Sequence, residues 1–333
     1  MRVLILVNAP AIVERWEGEA ASDRGVEHAA TAVRTALERR GHQVVPLLVG
    51  ADPGPLLRAV HEFKPDAVFN LCETIGGNSR LEAAVPFLLR WLKVPCTGNT
   101  PEALVLLLDK ICTKRLLRDV GLPTPPFAAL YDVRGIDGWQ DWPAILKPST
   151  EDASLGIDFG SVVHGVEAAK DRFELLFDRF GLPVLIERYI DGRELNVAIL
   201  ETEDGLRFGI NEIDYTDLPP DRPKILTYDA KWSEESEEFM KTPVKAPADL
   251  EPALDAEVRK LAATAFSALD LRGYARLDLR VDADGKPWIL ELNPNPDIAP
   301  DTGFVKSLPQ MGLAYDDAIE QIARTALKSK CHP

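Results

Sequence analysis

An Asp-Gly pair, Asp284-Gly285, lies between two apolar-rich runs, 274–281 and 286–293, and it constrains this chain more tightly than any other stretch. Asp-Gly between alternating runs is a strong signal for a two-residue β-hairpin turn. Centring the turn there places Leu277 opposite Leu292, Leu279 opposite Leu290 and Val281 opposite Trp288, which makes one face wholly apolar. On the other face Asp278 meets Glu291, and Arg276 meets Asn293. Opposed side chains in such a pair have Cβ atoms roughly 5 Å apart. Two carboxylates at that separation repel unless a cation lies between them. A hard divalent ion suits them, since Mg²⁺ commonly takes one or two carboxylates plus phosphate oxygens. Asn293 adds a neutral oxygen on the face of Glu291. The plain alternative is a solvated face whose carboxylates pair with Arg276 and Arg280. The rigid polar segment Asn293-Pro294-Asn295-Pro296 that follows favours a site.

The rest of the chain alternates. Apolar runs at 3–7, 43–49 and 67–71 read as strands, with helical spacing at Val26, Ala29, Ala30, Val33 and Leu37 and further helices at 56–63 and 81–92. Alternating strands and helices imply a parallel sheet covered on both faces, an N-terminal Rossmann-like domain over 1–105. A helix over 104–120, strands at 144–147 and 184–187 and a helix over 166–180 read as a small α+β domain, 106–190. A strand at 194–200, a long helix at 253–269, the hairpin and a last helix near 316–327 fill 191–333. Between them, 216–247 is rich in Pro, Glu and Lys without periodicity, and so long a loop is usually functional. With 333 residues, 46% hydrophobic, the chain exceeds a single ordinary core.

The net charge of -15 argues against a nucleic-acid partner. Cys72, Cys96, Cys112 and Cys331 form no CxxC pair and no zinc spacing, so reduced cytoplasmic thiols are expected. The apolar run at 3–7 is too short for a signal peptide, and no window reaches a membrane span.

The motifs, taken in order, resemble the ATP-grasp superfamily, most closely its D-alanine–D-alanine ligase-like branch. Arg276-Leu277-Asp278 with Ile289-Leu290-Glu291-Leu292-Asn293 is similar to that family's metal-binding end. Leu108-Asp109-Lys110 with Thr113-Lys114 resembles the start of its central domain. Ala144-Ile145-Leu146-Lys147-Pro148 with Ser154-Leu155-Gly156 resembles its strand and phosphate-covering loop. The run from Val184 through Glu187 and Ile190 to Glu194 resembles its adenine hinge and ribose contact, and Tyr228–Lys231 its mobile loop. The resemblance implies an N-terminal pre-ATP-grasp domain, a central lid and a C-terminal metal-binding domain. It implies ATP and Mg²⁺, with Mn²⁺ as a substitute, small carboxylate and amine substrates, and a homodimer. Lys110, Lys147 and Ser154 would face the phosphates, Glu187 and Ile190 the adenine, and Glu194 the ribose. Lys231 would reach the γ-phosphate, Asp278, Glu291 and Asn293 would hold the metal, and Arg276 would stabilise the oxyanion. The implied chemistry is formation of an acylphosphate, attack by an amine, and departure of phosphate.

The departures lie at the substrate end. The family's HGGxSxE signature is absent, and Asp23 stands by position for its amine-binding Glu. Ala153 and Trp232 replace that residue's Ser and Tyr partners. Cys72-Glu73 replaces a His-Gly, and Asn295-Pro296-Asp297 replaces a Ser-Pro-Gly. Glu73, Arg80, Asp297, Asp301, Thr302 and Lys306 are the candidates to line an altered pocket. Cys72 reads as a buried structural thiol, and His28 as an ordinary helix residue. The expected function is therefore ligation of amino-acid or small peptide-like substrates other than D-alanine pairs. The alternatives are a D-alanine–D-alanine ligase with a remodelled pocket and a non-catalytic nucleotide-binding protein.

Overall fold

The computed structural model of the chain describes residues 1–9, 19–151, 154–233 and 235–328, without the side chains of 19–24. Asp23 therefore contributes only backbone here, and Ala153 and Cys331 lie outside the described residues.

The chain opens with β1 (Arg2–Asn8), α1 (Glu19–Arg39), β2 (Gln43–Val49), α2 (Gly54–Phe63) and β3 (Ala67–Asn70). The three strands form a parallel sheet in the order β2-β1-β3. The interior of its central strand, Val3–Val7, is wholly apolar because both faces are covered. Val3, Ile5 and Val7 pack against α1, and Leu4 and Leu6 pack on the side of α2. Each such burial stabilises by about 1.5–3 kcal/mol. Pro46 is tolerated because β2 is an edge strand, where a missing N–H costs no ladder bond.

α3 (Ala84–Trp91), α4 (Pro101–Leu108) and α5 (Lys110–Asp119) follow. The single helix expected over 104–120 is thus two. Asp109 breaks it, with its carboxylate accepting from the backbone N–H groups of Ile111 and Cys112 as the N-cap of α5. That cap places Lys110 at the first position of a new helix.

β4 (Phe127–Leu130), β5 (Ala144–Pro148), β6 (Val162–Val163), α6 (Val166–Phe180) and β7 (Val184–Arg188) come next. They build an antiparallel sheet in the order β4-β7-β5-β6, with α6 packed on one face. β8 (Arg193–Thr202) and β9 (Gly205–Ile213) form a hairpin. The second of these strands was not anticipated, although Leu206, Phe208 and Ile210 alternate there.

The stretch 216–247 is less irregular than its composition implied. It holds α7 (Tyr228–Trp232), α8 (Glu237–Lys241) and β10 (Val244–Lys245). α9 (Pro252–Ala268), β11 (Tyr274–Val281), β12 (Pro287–Asn293), α10 (Gly303–Lys306) and α11 (Tyr315–Lys328) complete the described chain. The third sheet is antiparallel in the order β10-β9-β8-β11-β12. One face buries α4, α5 and α9, while α11 packs back against the first sheet.

The hairpin corrects the expected register in two places. Its turn is a three-residue loop, with the Gly285 N–H bonded to the Asp282 carbonyl and Gly285 in the left-handed region at φ 80°. That pairs Val281 with Pro287, Arg280 with Trp288 and Leu279 with Ile289. A bulge between Asp278 and Leu279 then shifts the ladder back, so Asp278 meets Glu291 and Arg276 meets Asn293 as expected. The turn and the bulge displace the pairing by equal and opposite amounts. Leu290 is the bulged residue and leaves the apolar face for a cavity.

Gly192 enters β8 where a side chain has no room. A Cβ there would lie 2.0 Å from the carbonyl oxygen of Val281 on the neighbouring strand. Gly192→Ala is expected to reduce stability by about 1–3 kcal/mol in a urea titration, as overpacking does. An unchanged midpoint would contradict the close approach.

Candidate active site

The second and third sheets enclose a cleft of about 1270 Å³ that extends to the C-terminal end of the first sheet. Asp278 and Glu291 face it from opposed positions of β11 and β12. Arg276 grips Asp278 with two bonds, Nε to Oδ1 and Nη2 to Oδ2, both 2.7 Å. Asn196 Nδ2 donates to Oδ1 at 2.8 Å. Burial pushes the Asp278 carboxyl up against the pull of Arg276. Burial also raises Glu291, but Lys110, Lys147, Arg276 and Lys231 outweigh it and hold that carboxyl at about 2. Glu291 is therefore an anion in a field of cations, with Lys110 Nζ 3.6 Å away.

The Asn293 side-chain oxygen accepts from the Asn295 N–H at 2.8 Å. Asn295 donates to Glu82 at 2.9 Å and accepts from the Tyr274 hydroxyl at 3.1 Å. Asn99 Nδ2 donates to the carbonyls of Tyr274 and Pro294. The loop after β12 is thus anchored to the first sheet's side of the molecule. Hard oxygens from two carboxylates and one amide fit Mg²⁺, which completes its shell with water and phosphate oxygens. Among the described residues no group of three or more His, Cys, Asp or Glu converges, as a closed protein cage would require.

Lysines line the side of the cleft next to the second sheet. Lys110 Nζ donates to the Glu151 carbonyl at 2.6 Å. Glu187 is fully buried on β7 and is clasped by Lys114 and Lys147, each at 2.5 Å. Burial would raise its carboxyl, yet the two ammonium groups pull it down, so it stays ionised. Ser154 sits at φ 61° in the loop before Gly156, where a Cβ would lie 2.6 Å from the Phe180 ring. That loop is tied to α7 by the Tyr228 N–H bonded to the Ile157 carbonyl at 3.1 Å. Lys231 lines the cleft from α7, its ammonium 5.4 Å from the Trp232 ring centroid.

Ile190 and Glu194 also line the cleft. Glu194 is held by Arg280, the residue that the solvated-face alternative pairs with the hairpin carboxylates. Arg280 is only 3% exposed and pairs with Glu194 at 2.6 Å rather than with the hairpin carboxylates. A basic residue two positions past Asp278, on the same strand face, was the available signal.

At the far end Glu73, Asp297, Asp301, Thr302 and Lys306 all line the cleft. Asp297 Oδ1 accepts from the Ala299 N–H at 2.8 Å, and burial raises its carboxyl. The Thr302 hydroxyl is spent on the carbonyls of Asp297 and Ala299, so it closes the loop. His28 also borders this end, 3.7 Å from Asp301, and its side chain is more than half exposed, as expected of a partly solvated helix residue. Arg80 is not among the lining residues; it bonds Thr150 at 3.3 Å. Cys72 is buried outside the cleft, and burial pushes its thiol far up, as expected of a structural cysteine.

Comparisons with known proteins point the same way. Residues 116–324 match the family model described as the D-ala D-ala ligase C-terminus. The chain is 32% identical over 307 residues to the uncharacterized protein y4sG of Sinorhizobium fredii, covering 89% of this chain and 87% of that protein. It is 31% identical to a D-alanine–D-alanine ligase of Gloeobacter violaceus (89% and 92% covered) and 30% identical to that of Cupriavidus necator (88% and 85%). The solved D-alanine–D-alanine ligase of Bacillus anthracis complexed with ATP superposes with a TM-score of 0.75 at 20% identity, over 99% of this chain and 98% of that one. The expected ATP-grasp architecture therefore holds, and the chain belongs to the D-alanine–D-alanine ligase family of ATP-dependent, ADP-forming ligases.

Proposed function

We propose that this protein joins the carboxylate of one amino-acid or small peptide-like substrate to the amine of another, with substrates other than the D-alanine pair. The observation that carries the ligation chemistry is the opposed Asp278–Glu291 pair beside Lys110, Lys147 and Arg276. ATP lies along the cleft, with Lys110, Lys147 and Ser154 at the phosphates, Glu187 and Ile190 at the base and Glu194 at the sugar. Asp278, Glu291 and Asn293 would hold Mg²⁺. When bound, the cation offsets phosphate charge and orients the γ-phosphoryl group. The substrate carboxylate oxygen attacks the γ-phosphorus and ADP departs. The amine nitrogen then attacks the acyl carbon, loses a proton, and phosphate leaves. Arg276, immobilised by its paired bonds to Asp278, faces the oxyanion, and Lys231 approaches the γ-phosphate from α7. The division at 1–105, 106–190 and 191–333, a cytoplasmic setting and a homodimeric assembly belong to the same proposal. Among the described residues no helix is long and apolar enough to cross a membrane.

The altered substrate choice rests on Asp297. A half-buried carboxylate four positions past Asn293 opposes the negative charge that the reaction builds. It is suited to a cationic group on the incoming substrate, with Glu73 on the same end of the cleft. Thr302 shapes this loop, and Asp23 is assigned to the substrate on its sequence position alone. The relatives' printed activity supports the second reading, ligation of D-alanine to itself in a remodelled pocket.

ADP release is the discriminating measurement, over D- and L-amino acids, diamines and dipeptides with Mg²⁺ and ATP. Release should require a pair other than D-alanine alone and should favour a partner with an additional ammonium group. Full release with D-alanine alone establishes the second reading. ATP binding without release under any pairing contradicts ligase activity.

A further inference from the structure

Glu194 stands directly opposite Arg280 across the β8–β11 pair. Its two hydrogen bonds converge on one oxygen. Oε2 accepts from Arg280 Nη2 at 2.6 Å and from the Tyr215 hydroxyl at 2.7 Å. Among the described residues no hydrogen bond reaches Oε1, although Glu194 lines the cleft and is only 9% exposed. Arg280 is itself fastened in several directions. Its Nη1 donates to the Ile190 carbonyl at 3.0 Å, and Nη2 also meets the Lys224 carbonyl. Its guanidinium lies 5.3 Å from the Tyr189 ring centroid and 5.8 Å from that of Tyr215. Tyr215 is 8% exposed, and burial keeps its hydroxyl protonated and able to donate.

We propose that Arg280 and Tyr215 are positioning residues that lock Glu194 in one rotamer with Oε1 presented to a sugar hydroxyl, and so set a preference for ribonucleoside over deoxyribonucleoside triphosphates. The inference rests on the reading that Glu194 meets the ribose. A free glutamate side chain loses rotamer entropy when it is immobilised. Here that ordering is complete before the nucleotide arrives, and preorganisation of this kind favours binding. The geometry also divides the work between the two oxygens. Two donors occupy Oε2, and the full acceptor capacity of Oε1 remains for the ligand. If the trio served stability alone, removing one member would weaken ATP and its deoxy analogues equally.

Titration calorimetry with Mg–ATP, Mg–2′-deoxy-ATP and Mg–3′-deoxy-ATP tests this without knowledge of the acid or the amine. The native protein should bind ATP more tightly than at least one analogue by about tenfold or more, the range of a hydrogen bond to a charged group. Tyr215→Phe keeps the ring and removes one hydroxyl; Arg280→Met removes the guanidinium. Each should cut the ATP-to-analogue ratio at least about threefold, mainly by weakening ATP. Unchanged ratios in both variants overturn the inference, as does equal weakening of every nucleotide. If Arg280→Met does not fold, Tyr215→Phe alone decides. Glu194→Gln separates the two layers. If it abolishes the preference while the other variants retain it, the positioning claim fails alone. If it retains the preference, the ribose reading of Glu194 fails and the inference falls with it.

Discussion

Glu291→Ala is expected to lower ADP release by about a thousandfold, the scale on which removing one charge-stabilising group slows an enzyme. Glu291 is the strongly ionised member of the opposed pair. Four cations hold it near 2, whereas Asp278 is raised by burial and already engaged by Arg276 and Asn196. Loss of Glu291 removes anionic charge from a cleft end crowded with lysines, so ATP should still bind while cation-dependent turnover fails. Asp278→Asn should cut turnover as well, and it should also release Arg276 from its paired bonds. ADP release with saturating ATP, beside calorimetric ATP binding, separates the two effects. A Glu291→Ala protein that releases ADP at the native rate sinks the metal assignment.

Glu187→Leu should cost about 3–5 kcal/mol of stability, because it removes the counter-ion of buried cations. Lys114 has 1% side-chain exposure and Lys147 15%, and both reach Glu187 at 2.5 Å. The other contacts of Lys114, with the Thr124 hydroxyl and over the Phe127 ring, are neutral and cannot replace a carboxylate. The pH dependence has a definite sign. Burial already lowers Lys114 below its ordinary value of 10.5, and loss of Glu187 lowers it further. The unfolded variant then binds more protons than the folded one, so its stability rises as pH climbs toward 10.5. Urea titrations at neutral and alkaline pH check both statements. Adding Lys114→Met should recover much of the loss, since one stranded charge is gone. A single variant as stable as the native protein would show that the clasp contributes nothing.

The site was legible in the sequence to different depths. The alternation of the two strands puts Asp278 opposite Glu291, as the structure has it, but it gives neither the three-residue turn nor the bulge at Leu290. Asp-Gly serves a two-residue turn or the end of a three-residue loop equally well, so local sequence does not separate them. Leu290 is apolar by composition but turns toward the cavity, and a bulge is visible only when both strands are paired. The break at Asp109 was readable, since an Asp preceding a helical run is a common N-cap. It was masked by the uninterrupted apolar periodicity on either side.

The sequence by itself determined which chemistry is available and in what order: lysines ahead of a glycine-bearing loop, a strand glutamate, and two carboxylates and an amide on one strand pair. Residue type and local spacing carry that information, because charge, donor count and the alternation of a strand are properties of short segments. Only the tertiary structure decided how those groups are held. Arg280 and Glu194 are 86 residues apart, Asn196 and Asp278 are 82 apart, and Glu187 gathers lysines from α5 and β5. Such partnerships arise where burial removes water and obliges each charge to find its counterpart, and no local pattern names that counterpart in advance.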